Sequence, residues 1–357
     1  MHRSPTAAAL LACALALPLP SRADDAPGRP VRLEVRAPGA KDVQLLPAEG
    51  PAQPMKRGDD WRFWVVVRLQ PGRFAYAFQV DGERRLDPTS DAEERGPDGA
   101  RRSVVVVRDG RNARPDPAVP HGQVLREKRR SAARGETVPF AVWLPPGFQP
   151  GQELPLLVML HGMNMGPSQW LDGGLANYLD NLLAQGRIRP MVVLFPDGGG
   201  ESFYEGEVEQ DIVAELVPAI RKRFGLRAGP AAIAGMSMGG YGALHLAQAH
   251  PDVFGHADAL SPGSMDQGSL PRLDAALAKA PYPVPLTIRC GKSDDLVLPW
   301  VERAVRILRN HGTEFTYVTA RGAHDWEYWR SVTEPVLEEA SRFLEGAAPV
   351  KEVKSAR

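Results

Sequence analysis

Apolar and polar residues follow two different patterns along the chain, and the change comes about a third of the way through. From Pro30 to about Arg108 the apolar runs are short and alternate with polar residues: Val31-Arg32-Leu33-Glu34-Val35, Val43-Gln44-Leu45, and the stretches 61–69, 74–80 and 103–107. The pairs Pro38-Gly39, Gly58-Asp59, Pro71-Gly72 and Asp81-Gly82 lie between them. A period of two broken by turns at this spacing predicts an antiparallel β-sandwich over residues 30–108. Asp81-Gly82 between apolar runs predicts a tight hairpin. From about Thr137 short apolar runs alternate with segments of helical period. Strands are predicted at 138–144, 154–160, 191–195, 231–234, 256–260, 285–290 and 314–319. Helices are predicted at 169–184, 208–224, 238–249, 270–279, 299–310 and 326–344. This alternation predicts a doubly wound α/β domain with a mostly parallel sheet over 135–345. Residues 109–134, rich in Arg, Pro and Ala with little periodicity, read as a linker ending in the first edge of the second domain. Residues 346–357 are polar and read as a disordered tail.

The first residues change the picture of location. Met1-His2-Arg3, an apolar stretch over 7–19 and Ser21-Arg22-Ala23 form a signal-peptide pattern over 1–23, with cleavage after Ala23 and export to the periplasm or beyond. The stretch is too short and too proline-bounded to span a bilayer. A rival reading takes Leu10-Leu11-Ala12-Cys13 as a lipoprotein box, and membrane contact is expected only if Cys13 is lipidated. The chain has 2 cysteines, so a mature form without Cys13 keeps Cys290 alone and forms no intrachain disulfide. Cys290 lies in an apolar strand and reads as a small buried hydrophobe. With 43 basic and 43 acidic residues in 357, nothing in the charge calls for nucleic acid or an anionic membrane as a partner. The longest basic cluster, 126–130, reads as a solvated linker face.

Candidate chemistry centres on Gly235-Met236-Ser237-Met238-Gly239, which follows an apolar strand and opens a helix. A serine at the tip of such a turn is exposed in strained backbone, and the glycines two residues to either side let strand and helix pass closely. Ser237 is therefore the candidate nucleophile. It needs a base, an acid to orient that base, and donors for the oxyanion. Downstream, Cys290-Gly291-Lys292-Ser293-Asp294-Asp295 and Gly322-Ala323-His324-Asp325-Trp326 each follow a predicted strand. The order serine, acid, histidine makes His324 the base and Asp294 its acid, with Asp295 as the alternative acid. His245, His250, His256 and His311 sit in a helix, at a helix end, at a strand start and in a turn, and His161 precedes the serine. The oxyanion hole is expected from the amide of Met238 and from Gly162 or Met163, with His161 anchoring that loop.

Asp197-Gly198-Gly199-Gly200 lacks the Lys-Ser/Thr of a phosphate loop and reads as a flexible loop near the site. The segment 201–209, with Phe203 and Tyr204, reads equally as the lining of an acyl or sugar pocket and as a turn with a buried aromatic. Trp170, Trp326 and Trp329 read first as helix-packing residues, with Trp170 and Trp326 also candidates for substrate contact, Trp326 because it lies two residues past the histidine.

The stretches 156–162, 193–198, 232–240, 290–294 and 322–326 together resemble the esterase D family of α/β-hydrolases, which holds feruloyl and acetyl-xylan esterases and is related to enterochelin esterases and mycolyltransferases. The resemblance covers about 137–344. It implies ester hydrolysis through an acyl-enzyme on a Ser237, Asp294, His324 triad, and it implies no metal or cofactor. The chain has no His-Glu-x-x-His and no clustered cysteine ligands. The amino-terminal pieces Ala37-Pro38-Gly39-Ala40, Asp60-Trp61, Pro71-Gly72-Arg73-Phe74 and Leu86-Asp87-Pro88 resemble early-set immunoglobulin-like modules, often classed as family 48 carbohydrate-binding modules. Trp61 and Trp64 are three apart and do not share a strand face, so Trp61 reads as core rather than as a sugar platform. The expected partner is a small-molecule or oligosaccharide ester, hydroxycinnamoyl ahead of acetyl, with a glycan contact through the first domain. A siderophore trilactone esterase and a non-catalytic glycan-binding protein are the alternatives.

Overall fold

The computed structural model describes residues 28–69, 72–90, 92–96, 98–107 and 110–346. The expected signal peptide with Cys13, the Pro71 turn position and the tail from 347 onward lie outside the described residues.

Among the described residues nine strands form the amino-terminal region: β1 (Arg29–Arg36), β2 (Val43–Pro47), β3 (Gln53–Pro54), β4 (Lys56–Arg57), β5 (Arg62–Leu69), β6 (Gly72–Val80), β7 (Glu83–Arg85), β8 (Ala92–Arg95) and β9 (Arg101–Val107). One sheet runs β1-β5-β4 and the other β3-β2-β6-β9-β8, with β7 paired to β6. Every pairing is antiparallel. The alternation seen in the sequence is the cause: Val31, Leu33 and Val35 of β1 and Phe63 and Val67 of β5 face Val43 and Leu45 of β2, Phe78 and Val80 of β6, and Val105 and Val107 of β9. Asp81 and Gly82 close the β6–β7 hairpin, with Val80 opposite Glu83. The Asp81 carboxylate accepts from the amides of Lys41 and Asp42 at 2.9 and 2.8 Å. Trp61 packs against the sandwich core with Arg57 over its ring at 4.1 Å, and Trp64 carries Arg32 and Lys56 at 4.7 and 5.1 Å. Cations thus cover both indoles where a sugar would have to stack.

The second region is an eight-stranded sheet with the order β10-β11-β13-β12-β14-β15-β16-β17. Its strands are β10 (Gln123–Arg130), β11 (Thr137–Leu144), β12 (Leu156–Leu160), β13 (Val192–Pro196), β14 (Ala231–Met236), β15 (Phe254–Leu260), β16 (Leu286–Gly291) and β17 (Thr316–Ala320). β10 and β11 run antiparallel to their neighbours, and all other pairings are parallel. Both faces are covered, as a parallel sheet requires. On one face Val142, Val158, Leu194 and Ile233 pack under helices Met238–Ala249, Ser269–Leu277 and Leu298–Asn310. On the other Trp143, Leu157, Val193 and Ala232 pack under Leu175–Ala184 and Trp326–Leu344.

Three sequence expectations need correction. The segment 109–134 does end in an edge of the second region, but that edge takes up residues 123–130 as strand β10, so the linker is shorter than expected, and the basic cluster inside it is partly paired, Arg129 meeting Asp211 and Glu215. Alternating charge hid this edge strand, because an edge needs only one apolar face. The single helix expected over 169–184 is two, Gln169–Asp172 and Leu175–Ala184, parted by Gly174 at φ 96°. The helix expected over 208–224 contains a π-helical turn, Asp211–Leu216, at the point where Asp211 is buried against Arg129.

His256 on β15 is buried, its ring stacked on Phe343 at 5.5 Å and its Nε2 without a partner. Burial, which outweighs the opposing pull of Glu339, lowers the imidazole from its ordinary 6.5 to about 4. The unfolded chain therefore takes up this proton first, and stability held above pH 6.5 is lost as pH falls toward 4. Between pH 7 and pH 5 this single group should cost about 2 kcal/mol of unfolding free energy. His256→Leu should remove that part of the slope in urea unfolding at the two pH values; equal slopes in variant and wild type would contradict the assignment.

Candidate active site

The candidate nucleophile sits where β14 turns into the helix Met238–Ala249. Ser237 has φ 57° and ψ −121°, outside the ordinary regions for a side-chain-bearing residue, at a cost on the order of 1–3 kcal/mol. The conformation is held from three sides. The Ser237 amide donates to the Leu260 carbonyl at the end of β15 at 2.9 Å, and the Ser237 carbonyl accepts from Tyr241 at 3.0 Å. Gly239 passes over the end of β12 so closely that a Cβ there would lie 2.5 Å from the Leu160 carbonyl oxygen and 2.6 Å from that of His161. A Cβ at Gly235 would lie 2.2 Å from the Gly239 carbonyl oxygen. The two glycines of the motif are therefore steric requirements of a strand and a helix in backbone contact.

The loops after β16 and β17 bring the other two predicted residues to this serine. His324 Nε2 lies 2.9 Å from Ser237 Oγ, and His324 Nδ1 lies 2.9 Å from Asp294 Oδ2. The Asp294 carboxylate is fully buried, and its Oδ1 also accepts from the Val297 amide at 3.2 Å. Asp295, its neighbour, points away: its side chain is 71% exposed and ion-paired to Arg62 at 3.0 Å. Trp329 meets the His324 ring edge-on at 5.1 Å. Cys290, the residue before this loop's glycine, is buried and its thiol is pushed up to about 12, chiefly by burial and then by Asp294, which leaves it no thiolate near neutral pH.

The loop after β12 lies over the serine, as expected. A Cβ at Gly162 would lie 3.7 Å from the Ser237 Cβ. The Gly162 amide donates to Gln169 Oε1 at 2.7 Å, so it is already committed. His161 anchors the loop: its Nε2 accepts from the Gly198 amide at 2.7 Å, which puts the ring proton on Nδ1, 2.8 Å from the Gly162 carbonyl. Gln169 was not read from the sequence, and a glutamine opening a helix carries no signal there that would have revealed it.

The four predicted substrate residues divide. Tyr204 is fully buried, and its hydroxyl donates to the His161 carbonyl at 3.0 Å, so the buried-aromatic reading holds and it meets no substrate. Trp170 is 2% exposed and donates from Nε1 to the Leu160 carbonyl at 2.8 Å. Trp326 is half-buried and edge-on to Trp170 and Trp329 at 5.9 and 5.6 Å. Phe203 is half-buried against Tyr241 at 5.9 Å. The loops that carry these residues are joined, since the Asn164 amide donates to the Gly200 carbonyl at 2.7 Å. Met165, Met265 and Leu296, on the loops after β12, β15 and β16, leave large apolar side chains in solvent.

Among the described residues His256, Asp258 and Glu339 could reach one metal ion. The Arg289 guanidinium already stands between the two carboxylates, 3.0 Å from Asp258 and bonded to Glu339, and it would repel a cation there.

Comparison with known proteins places the chain in a family and shows which folds it shares. The Esterase family model matches residues 131–333. An endo-1,4-β-xylanase/feruloyl esterase of Xylanibacter ruminicola is 25% identical over 329 residues, covering 86% of this chain and 44% of that protein. The chain spans about half the length of the curated relatives it matches. A ferulic acid esterase of Anaeromyces mucronatus superposes with TM-score 0.56 at 18% identity, over 64% of this chain and 93% of that one. The enterobactin esterase of Shigella flexneri superposes with TM-score 0.57 at 16% identity, over 88% of this chain and 93% of that one. An α/β sheet of this order, with the strained serine at its centre and a family match over more than half its length, makes this chain a member of the Esterase family.

Proposed function

We propose that this protein is a serine carboxylesterase with Ser237 as nucleophile, His324 as general base and acid, and Asp294 as the residue that orients and stabilises the imidazole. The observation that carries the reading is the continuous hydrogen-bonded line Ser237 Oγ, His324 Nε2, His324 Nδ1, Asp294 Oδ2, with both contacts at 2.9 Å. Ser237 Oγ attacks the ester carbonyl as its proton passes to His324 Nε2, and the carbonyl oxygen takes up negative charge facing the amides of Met238 and Met163. Collapse expels the alcohol, which leaves with the proton from His324. Water then attacks the acyl-Ser237 ester by the same route and releases the acid. Asp294 Oδ2 accepts from Nδ1–H throughout and keeps the ring in place.

For the substrate we propose esters of aromatic acids on plant polysaccharide or its oligosaccharides, feruloyl ahead of acetyl. Two observations support this: the relative whose name couples xylanase with feruloyl esterase, and the exposed Met165, Met265 and Leu296, apolar surface on three loops at the ends of strands leading to the site. A second reading, a siderophore trilactone esterase, is favoured by the superposition on the enterobactin esterase, which covers 88% of the chain and so takes in sandwich as well as sheet. The division into a sandwich over 30–108 and a hydrolase domain over 135–345, and export with cleavage after Ala23, belong to the same proposal. Among the described residues no helix is long and apolar enough to cross a membrane.

Purified protein should hydrolyse methyl ferulate and p-nitrophenyl acetate, and Ser237→Ala should lower kcat by roughly 10⁴–10⁶-fold. Asp294→Asn should lower it by roughly 10³–10⁴-fold, whereas Asp295→Asn should stay within about threefold. Activity surviving Ser237→Ala would end the assignment. In an ester panel, kcat/KM for feruloyl esters should exceed that for acetyl esters and for an enterobactin-type trilactone; the reverse order for the trilactone would select the second reading. The mass of the protein recovered from the periplasm should correspond to a chain beginning at Asp24, and a chain that keeps residues 1–23 would exclude the proposed cleavage.

A further inference from the structure

Both loops that carry the proposed acid and base are fastened to the amino-terminal sandwich. Three residues before His324, Arg321 leaves the end of β17 and enters the sandwich. Its Nη1 donates to Asp87 Oδ2 at 3.3 Å and to the Tyr76 hydroxyl oxygen at 3.2 Å, and its Nη2 donates to the Arg32 carbonyl. Asp87 is fully buried there and is further held by the Tyr76 hydroxyl at 2.5 Å and by the amide and hydroxyl of Thr89, each at 2.7 Å. Two residues before Asp294, Lys292 Nζ donates to the Ser90 carbonyl, and one residue after it Asp295 pairs with Arg62. The two loops are also tied to each other, the Ser293 amide donating to the Gly322 carbonyl at 2.9 Å and the Lys292 amide to that of Ala320 at 2.8 Å.

The position of β17 shows why outside support matters. It is the last strand of the sheet, paired on one side only, and none of its residues is fully buried. A loop leaving such an edge lacks the neighbouring strand that braces the loops at the centre of the sheet. Arg321 meets a preformed acceptor group whose charge is buried and hydrogen-bonded, a charge-assisted contact with little freedom of geometry.

We propose that the sandwich is a built-in brace for the catalytic loops, with Arg321 a positioning residue that sets His324 against Ser237 through the buried Asp87–Tyr76 group. This rests on the esterase reading of the site. The amino-terminal region thereby acts on turnover itself, apart from any glycan contact it makes. Loss of the brace leaves the triad residues present but lets His324 drift from Ser237 Oγ, which lowers kcat and leaves KM for a small ester nearly unchanged.

The test uses the whole chain and two readouts, turnover of p-nitrophenyl acetate and the rate at which a fluorophosphonate labels Ser237, each per folded molecule. Arg321→Gln and Asp87→Asn should each lower kcat and the labelling rate by about 10- to 100-fold with KM within about threefold, and Arg321→Lys should recover part of the loss. The double variant should be no slower than the worse single variant, because both remove one contact. Lys292→Met, which releases the other loop without leaving a buried charge, gives the same reading where a variant at Asp87 fails to fold, with an expected loss of roughly five- to tenfold. Folded variants with wild-type kcat and labelling rate, or additive losses that follow melting temperature alone, would overturn the brace. A wild type that Ser237 reagents label but that cleaves no ester would refute the esterase reading, while the labelling rates would still decide the brace.

Discussion

The site depends first on the crossing of the helix Met238–Ala249 over the end of β12, where backbone touches backbone. Nothing larger than hydrogen fits at Gly239, and Ser237 is forced to positive φ between a strand that ends at Met236 and a helix that begins at Met238. A serine held this way has its hydroxyl lifted clear of both elements. The strain is sustained because β14 lies in the middle of an eight-stranded sheet with buried residues throughout its length. The large core on both faces of the sheet is what holds one unfavourable residue in place.

Around that point each contributing loop has its own set of anchors. The β12 loop is fixed by His161, Gln169 and Tyr204, all of which spend their polar atoms on backbone. The Asp294 loop is fixed by burial of its carboxylate and by its own turn into the next helix. The His324 loop leaves the outermost strand, and there the sandwich supplies contacts that the sheet cannot. Fully buried Tyr204 and Trp170 belong to this anchoring. Large aromatic side chains beside a site serve it first by filling space and capping carbonyls, and their nearness to the serine in sequence or in space says little about contact with substrate.

Polar contacts tie the two regions together at the catalytic loops. Arg321, Lys292 and Arg62 reach from one side or the other to a buried carboxylate, a carbonyl and an exposed carboxylate. Ionic and hydrogen-bonded contacts specify distance and direction more sharply than apolar ones do, at some cost in desolvation. Such a join fixes how the sandwich sits against the loops, which suits a brace better than a tether. The cations lying over Trp61 and Trp64 show the same region using its aromatic surface for its own structure.

Much of this was legible in the linear sequence, and for identifiable reasons. Alternation of period two revealed the sandwich, runs of buried residues revealed the central strands, and Gly-x-Ser-x-Gly after such a run revealed the elbow. The loops with Asp294 and His324 were found because they follow strands in the required order. These are local signals, each written within about ten residues. The edge strand Gln123–Arg130 was read only as an edge without bounds, because its charged residues mask its half-buried face, and the break at Gly173-Gly174 was passed over because glycines in a helical pattern are ambiguous until their φ is known. What only the tertiary structure decided was pairing across distance: Asp294 rather than Asp295 on His324, Gln169 on the Gly162 amide, Tyr204 under His161, and Arg321 in the Asp87 group. A side chain's neighbour hundreds of residues away depends on how whole layers pack, and no local pattern of apolar and polar residues encodes that.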